Sequence, residues 1–141
     1  MAAKTLKVRL DRVGTVAFEA TGEASGGTLV LDGSPDIGGE GRGMRPMELM
    51  LTAIASCAAM DVVHILRKQR EPLETLRIEV EGDRKDATPA PFTAIRIAFV
   101  ANTGVDAHKL ERAVSLGVEK YCSASASLDP SIQVSWSSRT E

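Results

Sequence analysis

The sequence predicts an α+β fold in the order βββαββαβ, and three observations carry that expectation. Strand-like alternation comes in runs and does not alternate one for one with helices. One uninterrupted stretch beginning at Pro46 switches to helical periodicity. A second helical stripe stands between a hairpin and a closing strand.

The first run covers residues 5 to 33. Leu6, Val8 and Leu10 alternate with Lys7, Arg9 and Asp11; Val16, Phe18 and Ala20 follow, then Leu29 and Leu31 after the Gly26-Gly27 turn signal. This pattern predicts three antiparallel strands. Next comes "DGSPDIGGEGRGMRP", whose five glycines and two prolines predict a mobile loop without regular structure. It places Arg42 and Arg45 just ahead of the next element.

From Pro46, suited to the first turn of a helix because its missing N–H would be unpaired there, the helical pattern continues to about Arg70, before Pro72. Such a helix is about 37 Å long. Its first half is apolar nearly all round, with Glu48, Thr52 and Ser56 as a polar seam at i, i+4 and i+8 and Cys57 beside it. Ala53, Ala55, Ser56, Ala58 and Ala59 leave room for a second backbone. An apolar helix also needs more cover than one small sheet gives, so a homodimer is expected. The closing "LRKQR" puts cations where the helix macrodipole favours them.

"TLRIEVEGDRK" and "PFTAIRIAFVAN" alternate again and predict a hairpin. A second helix is expected from an Asp106 N-cap, with Leu110, Ala113, Val114, Gly117, Val118 and Tyr121 on one stripe and Cys122 at its end. "SIQVSW" supplies the last strand.

At 141 residues the chain is expected to form one domain, 1–141, burying about two thirds of the surface exposed when unfolded. A net charge of −2 gives no electrostatic handle for a phosphate backbone, so no nucleic-acid partner is expected. "MAAKTLKVRLDRV" lacks a signal-peptide core. The apolar stretch Leu49 to Met60, broken by Thr52 and Ser56, is too short to span a bilayer. The expectation is a cytoplasmic protein with no membrane partner.

Four side chains are of metal-ligand type: Cys57, His64, His108 and Cys122. Cys57 and His64 share a helix face but stand about 10.5 Å apart along the axis, and no metal-binding spacing occurs, so no metal is expected. Gly38, Gly39, Gly41 and Gly43 do not form a phosphate loop. A Cys57–Asp61–His64 hydrolase triad fails because Asp61 places an anion near the thiol and His64 is too far away to take its proton.

Two readings of the cysteines remain: inert core residues, or a redox pair. Thiol-based peroxide reduction needs a thiolate to attack the O–O bond and a second cysteine to condense with the resulting sulfenic acid. It also needs a cation to favour the thiolate in apolar surroundings, which Arg42 or Arg45 could supply.

"GMRPMELMLTAIASCAAMDVVHILRK" followed by "VEKYCSASASL" resembles the superfamily of osmotically inducible protein C and organic hydroperoxide resistance proteins (OsmC/Ohr), most closely its YhfA-like branch. The resemblance implies an OsmC-like fold with antiparallel sheets around a long central helix, in an intertwined dimer. It further implies reduction of organic hydroperoxides in oxidative-stress defence, with Cys57 as the peroxidatic and Cys122 as the resolving cysteine. An arginine, Arg45 or Arg42 with Arg12 a distant third, would support the thiolate. The family's acidic residue directly after the helix-start proline is Met47 here, and Glu48 follows it. No cofactor is implied beyond an external dithiol reductant, and the substrate would be a small apolar hydroperoxide. Met44, Met47, Met50, Leu51 and Met60 could line an apolar cleft for it. The alternative is a non-catalytic dimer of the same fold that binds a small apolar ligand or senses oxidants.

Overall fold

A computed structural model describes residues 4–141. Three strands open the chain: β1 (Val8–Arg12), β2 (Phe18–Gly22) and β3 (Thr28–Leu31). They form an antiparallel sheet in the order β1-β2-β3. The helix α1 spans Pro46–Lys68, two residues shorter than the sequence suggests. Then come β4 (Leu76–Arg84), β5 (Phe92–Ala101), α2 (Ala107–Leu116), a π-helical turn (Gly117–Tyr121), the short α3 (Ser123–Ala126) and β6 (Gln133–Thr140).

Contacts divide the chain into two compact units, residues up to Met50 and Leu51–Glu141. In the first, the sheet register puts Val8, Leu10, Phe18, Ala20, Leu29 and Leu31 on one face and Arg9, Asp11, Glu19 and Val30 on the other. The apolar face is largely open: Leu6 is 82% exposed, and Val8, Leu10, Phe18 and Leu29 are exposed as well.

The loop from Asp32 to Met44 is not the shapeless segment its glycines suggest. Its ends meet: Leu31 bridges Met44, and the Asp32 N–H donates to the Met44 carbonyl at 3.0 Å. A short 3₁₀ turn, Pro35–Ile37, lies within it. Two glycines are required by close backbone approach. A Cβ at Gly39 would stand 1.8 Å from the Gly33 carbonyl oxygen, and one at Gly43 would stand 2.0 Å from that of Val30.

In the second unit β4 and β5 form the expected antiparallel hairpin, with Ile78 opposite Phe99 and Val80 opposite Ile97. β6 pairs with β5 in parallel. A parallel pair needs a crossover, and α2 provides it, so one βαβ unit is set into the α+β fold. Ile95, Ile97 and Phe99 are buried on one face of this sheet, with Val62 and Leu66 of α1 and Leu110 and Val114 of α2 completing the core. Each such side chain contributes about 1.5–3 kcal/mol by leaving water. Leu51 reaches β4, where an added Cβ at Gly82 would meet Phe92 and Leu51 side chains at 2.7 and 3.1 Å.

The whole of α1, 23 residues with a mean hydropathy of 1.9 in its most apolar window, is long and apolar enough to cross a membrane. From Leu51 onward it is instead the core helix of the second unit. Ile54, Ala55, Ala58, Val62 and Leu66 are buried at helical spacing. Ala53, Met60 and His64 are exposed on another side, with Cys57 half-buried at the margin. The small residues on α1 serve the chain's own packing in part: a Cβ at Gly117 would lie 3.0 Å from the Ala58 carbonyl oxygen.

Past α1, Glu71 accepts hydrogen bonds from the Asp106 N–H at 2.8 Å and from the Lys109 ammonium at 3.3 Å. Asp106 caps α2 as its position suggests, accepting from the Lys109 N–H at 3.0 Å. These contacts seat the start of the crossover helix.

Candidate functional site

Both cysteines are free thiols in the second unit. Cys57 lies mid-way along α1, half-buried. Cys122 is not at the end of a continuous helix: α2 stops at Leu116, and the π turn Gly117–Tyr121 intervenes. Such turns are frequent at functional sites. Here it delivers Cys122 to the boundary with α3, where the thiol is 4% exposed.

Two contacts fix the Cys122 sulfur. It donates to the Ile54 carbonyl at 3.7 Å and accepts from the Ser125 N–H at 3.3 Å. Ile54 precedes Cys57 by three residues, close to one turn of the same helix. The structure therefore brings the two cysteines, 65 positions apart in sequence, into one neighbourhood. Near them, Ser125 Oγ is buried without a hydrogen-bond partner.

One turn beyond Cys57, Asp61 joins His64, Ile65, Lys68 and Tyr121 in lining a cleft of about 440 Å³. Tyr121 directly precedes Cys122. Asp61 and His64, rejected above as triad members, are thus cleft residues beside the cysteine pair. Among the described residues no group of three or more His, Cys, Asp and Glu side chains could hold a metal ion.

Arg42, Arg45 and Glu48 belong to the first unit. Arg42 is committed there: its backbone N–H donates to Asp32 at 3.1 Å and its guanidinium donates to the Val13 carbonyl. Arg45 precedes Pro46 at the helix start, and its N–H donates to Glu48 Oε1 at 3.0 Å. That is the acidic half of a capping box, a glutamate at the third helical position reaching back to the cap N–H. Glu48 and Cys57 are nine residues apart on one helix, about 13.5 Å of rise and half a turn of rotation. Glu48 thus serves the helix start. Arg12 Nε donates to the Thr15 carbonyl at 3.1 Å, within the β1–β2 connection.

The sequence reading missed Asp32. It is 3% exposed, and its carboxylate accepts three backbone N–H groups, from Gly33 at 2.8 Å, Glu40 at 3.0 Å and Arg42 at 3.1 Å. The hydrogen bonds from Glu40 and then Arg42 hold its pKa below the usual aspartate value; burial opposes them, and the Gly33 bond and the Arg42 charge add to them. The only sequence signal is an aspartate opening a glycine-rich loop, the setting of an Asx turn. Because the folded pKa is depressed, this contribution to stability is complete above the ordinary aspartate range and is lost as pH falls through the folded value. Amides of Gly33, Glu40 and Arg42 should therefore lose hydrogen-exchange protection on acidification below about pH 4, ahead of those in β5. Unchanged protection in the loop would contradict this account of Asp32.

The fold and site define a class: α+β proteins in which a long apolar helix and a helix-breaking turn bring two free cysteines into one neighbourhood. The pattern of the OsmC-like protein family matches residues 39–137, and the chain belongs to that family. It is 34% identical to the protein YhfA of Escherichia coli strain K12 over 116 residues, 81% of this chain and 83% of that one. A crystal structure of a hypothetical protein from Aquifex aeolicus VF5 superposes with a TM-score of 0.81 at 33% identity, covering 99% of both chains. The organic hydroperoxide resistance protein OsmC of Legionella pneumophila shares the fold, with a TM-score of 0.69 at 19% identity over 98% of both chains. These likenesses bear out the α+β order read from the sequence.

Proposed function

We propose that this chain is a cytoplasmic, cysteine-based peroxidase that reduces small apolar organic hydroperoxides. The observation that carries the reading is the seating of Cys122 against the Ile54 carbonyl, about one turn of α1 from Cys57. Membership of the OsmC-like family supports it.

In this reading the Cys57 thiolate attacks the distal oxygen of the hydroperoxide. The O–O bond breaks, the alkoxide leaves and takes a proton as alcohol, and Cys57 becomes a sulfenic acid. The Cys122 thiol then attacks that sulfur, forming the disulfide and releasing water. A dithiol restores both thiols by two exchange steps, leaving itself oxidised. The family resemblance assigns support of the thiolate to an arginine, Arg45 or Arg42.

A homodimer is part of the proposal. The open apolar face of the first sheet and Met60, 71% exposed on α1, are the surfaces a second copy would cover. Met60→Glu should shift the protein toward monomer in light scattering coupled to size exclusion, because burying an unpaired carboxylate costs several kcal/mol. An unaltered mass would remove α1 from the interface.

The test of activity is consumption of cumene hydroperoxide with dithiothreitol as reductant. The protein should accelerate loss of the peroxide well beyond the rate with dithiothreitol alone; equal rates would overturn the proposal.

A further inference from the structure

We propose that Glu119 is a positioning residue for Cys122, locking the π turn that carries the thiol to α1; the inference rests on the reading in which Cys122 resolves an oxidised Cys57. Glu119 is the middle residue of that turn, Gly117–Tyr121. Both of its carboxylate oxygens are engaged. The Ser115 hydroxyl, near the end of α2, donates to Oε2 at 3.1 Å, and the Trp136 indole N–H, from β6, donates to Oε1 at 3.1 Å. Neither donor belongs to the turn itself.

The bond from Trp136 ties the turn to the sheet. Trp136 stands opposite Ile97, a buried residue of β5, and β6 keeps its register with β5 from Gln133 to Thr140. The first residue of the turn rests on α1, where a Cβ at Gly117 would meet the Ala58 carbonyl oxygen at 3.0 Å and Val62 Cγ2 at 3.1 Å. The competitor of a π turn is plain continuation of α2, with backbone bonds that span four residues in place of five. Losing that one-residue offset would rotate Cys122 by about 100° around the helix axis. The rotation would take the Cys122 sulfur off the Ile54 carbonyl, its contact with α1. The two hydrogen bonds to Glu119 hold the turn against that change.

The experiment follows closure of the Cys57–Cys122 bond without peroxide, in full chains, with thermal melting measured alongside. Dithiobis(nitrobenzoate) reacts first at the more exposed Cys57, leaving a mixed disulfide there and releasing one coloured thiolate. Cys122 then gives its proton to solvent and attacks the Cys57 sulfur; the protein disulfide forms, the mixed disulfide breaks, and a second coloured thiolate leaves. In Glu119→Ala the first release should keep its wild-type rate and the second should slow about tenfold, the loss expected for two hydrogen bonds to a charged group. Ser115→Ala removes one of the two donors and should slow the second release less. Glu119→Gln keeps an oxygen for the indole N–H and an amide for the Ser115 hydroxyl, and should restore the wild-type rate. A lowered melting temperature with an unchanged second release in Glu119→Ala and Ser115→Ala would overturn the proposal, as would a wild type that gives no second release. Failure of the wild type to consume alkyl hydroperoxide, with its second release intact, would count against the proposed peroxidase alone.

Discussion

Cys57→Ser is expected to reduce peroxide consumption to the rate of the dithiol alone, because a serine hydroxyl is not ionised near neutrality and cannot attack the O–O bond. Cys122→Ser should behave differently. One equivalent of alkyl hydroperoxide still converts Cys57 to a sulfenic acid, which persists and is trapped by dimedone, while steady turnover falls. Cys122 is also packed, with its sulfur accepting from the Ser125 N–H and donating to the Ile54 carbonyl. Serine keeps the acceptor on a shorter reach, so a loss of about 1–2 kcal/mol in stability is expected as well. Equal loss of turnover in both variants, with no sulfenic acid trapped at Cys57 in Cys122→Ser, would sink the division of roles.

Phe99→Ala should give the largest loss of stability among single core changes. Phe99 is fully buried in the central strand β5, opposite Ile78 on the neighbouring strand. Removing the ring costs about 3–5 kcal/mol through lost transfer energy and the cavity left behind. A domain of this kind has roughly 5–15 kcal/mol in total, so the change takes about a fifth or more of the whole. In urea the midpoint should fall with little change in slope. A shift under 1 kcal/mol would mean the core is not centred on β5.

Much of this was legible in the sequence because it depends on local pattern. Alternation at Leu6, Val8 and Leu10 and at Ile95, Ile97 and Phe99 marks strands wherever they pair, and Asp106 caps a helix by its own side chain. The parallel pairing of β6 was not legible, since an alternating strand carries no sign of direction. The π turn at Gly117–Tyr121 was hidden too: its residues continue the apolar stripe of α2, and only tertiary packing against Ala58 distinguishes it. Cys57 and Cys122 were nameable as a pair from type and order, but their approach depends on that turn. The glycine-rich loop read as mobile because its order comes from Asp32, a single buried carboxylate whose three donors are backbone groups with no sequence signature. Glu48 read as part of a polar seam, whereas its hydrogen bond to the Arg45 N–H makes it a helix cap.

The central claim is that Cys57 and Cys122 form a peroxide-reducing pair. Its most direct test treats the reduced protein with one equivalent of cumene hydroperoxide, blocks remaining thiols, and maps the peptides by mass spectrometry. The account predicts rapid loss of both thiols and a Cys57–Cys122 disulfide within one chain, reversed by dithiothreitol. Two unmodified thiols after prolonged exposure, or a Cys57 sulfenic acid that never passes to Cys122, would contradict it.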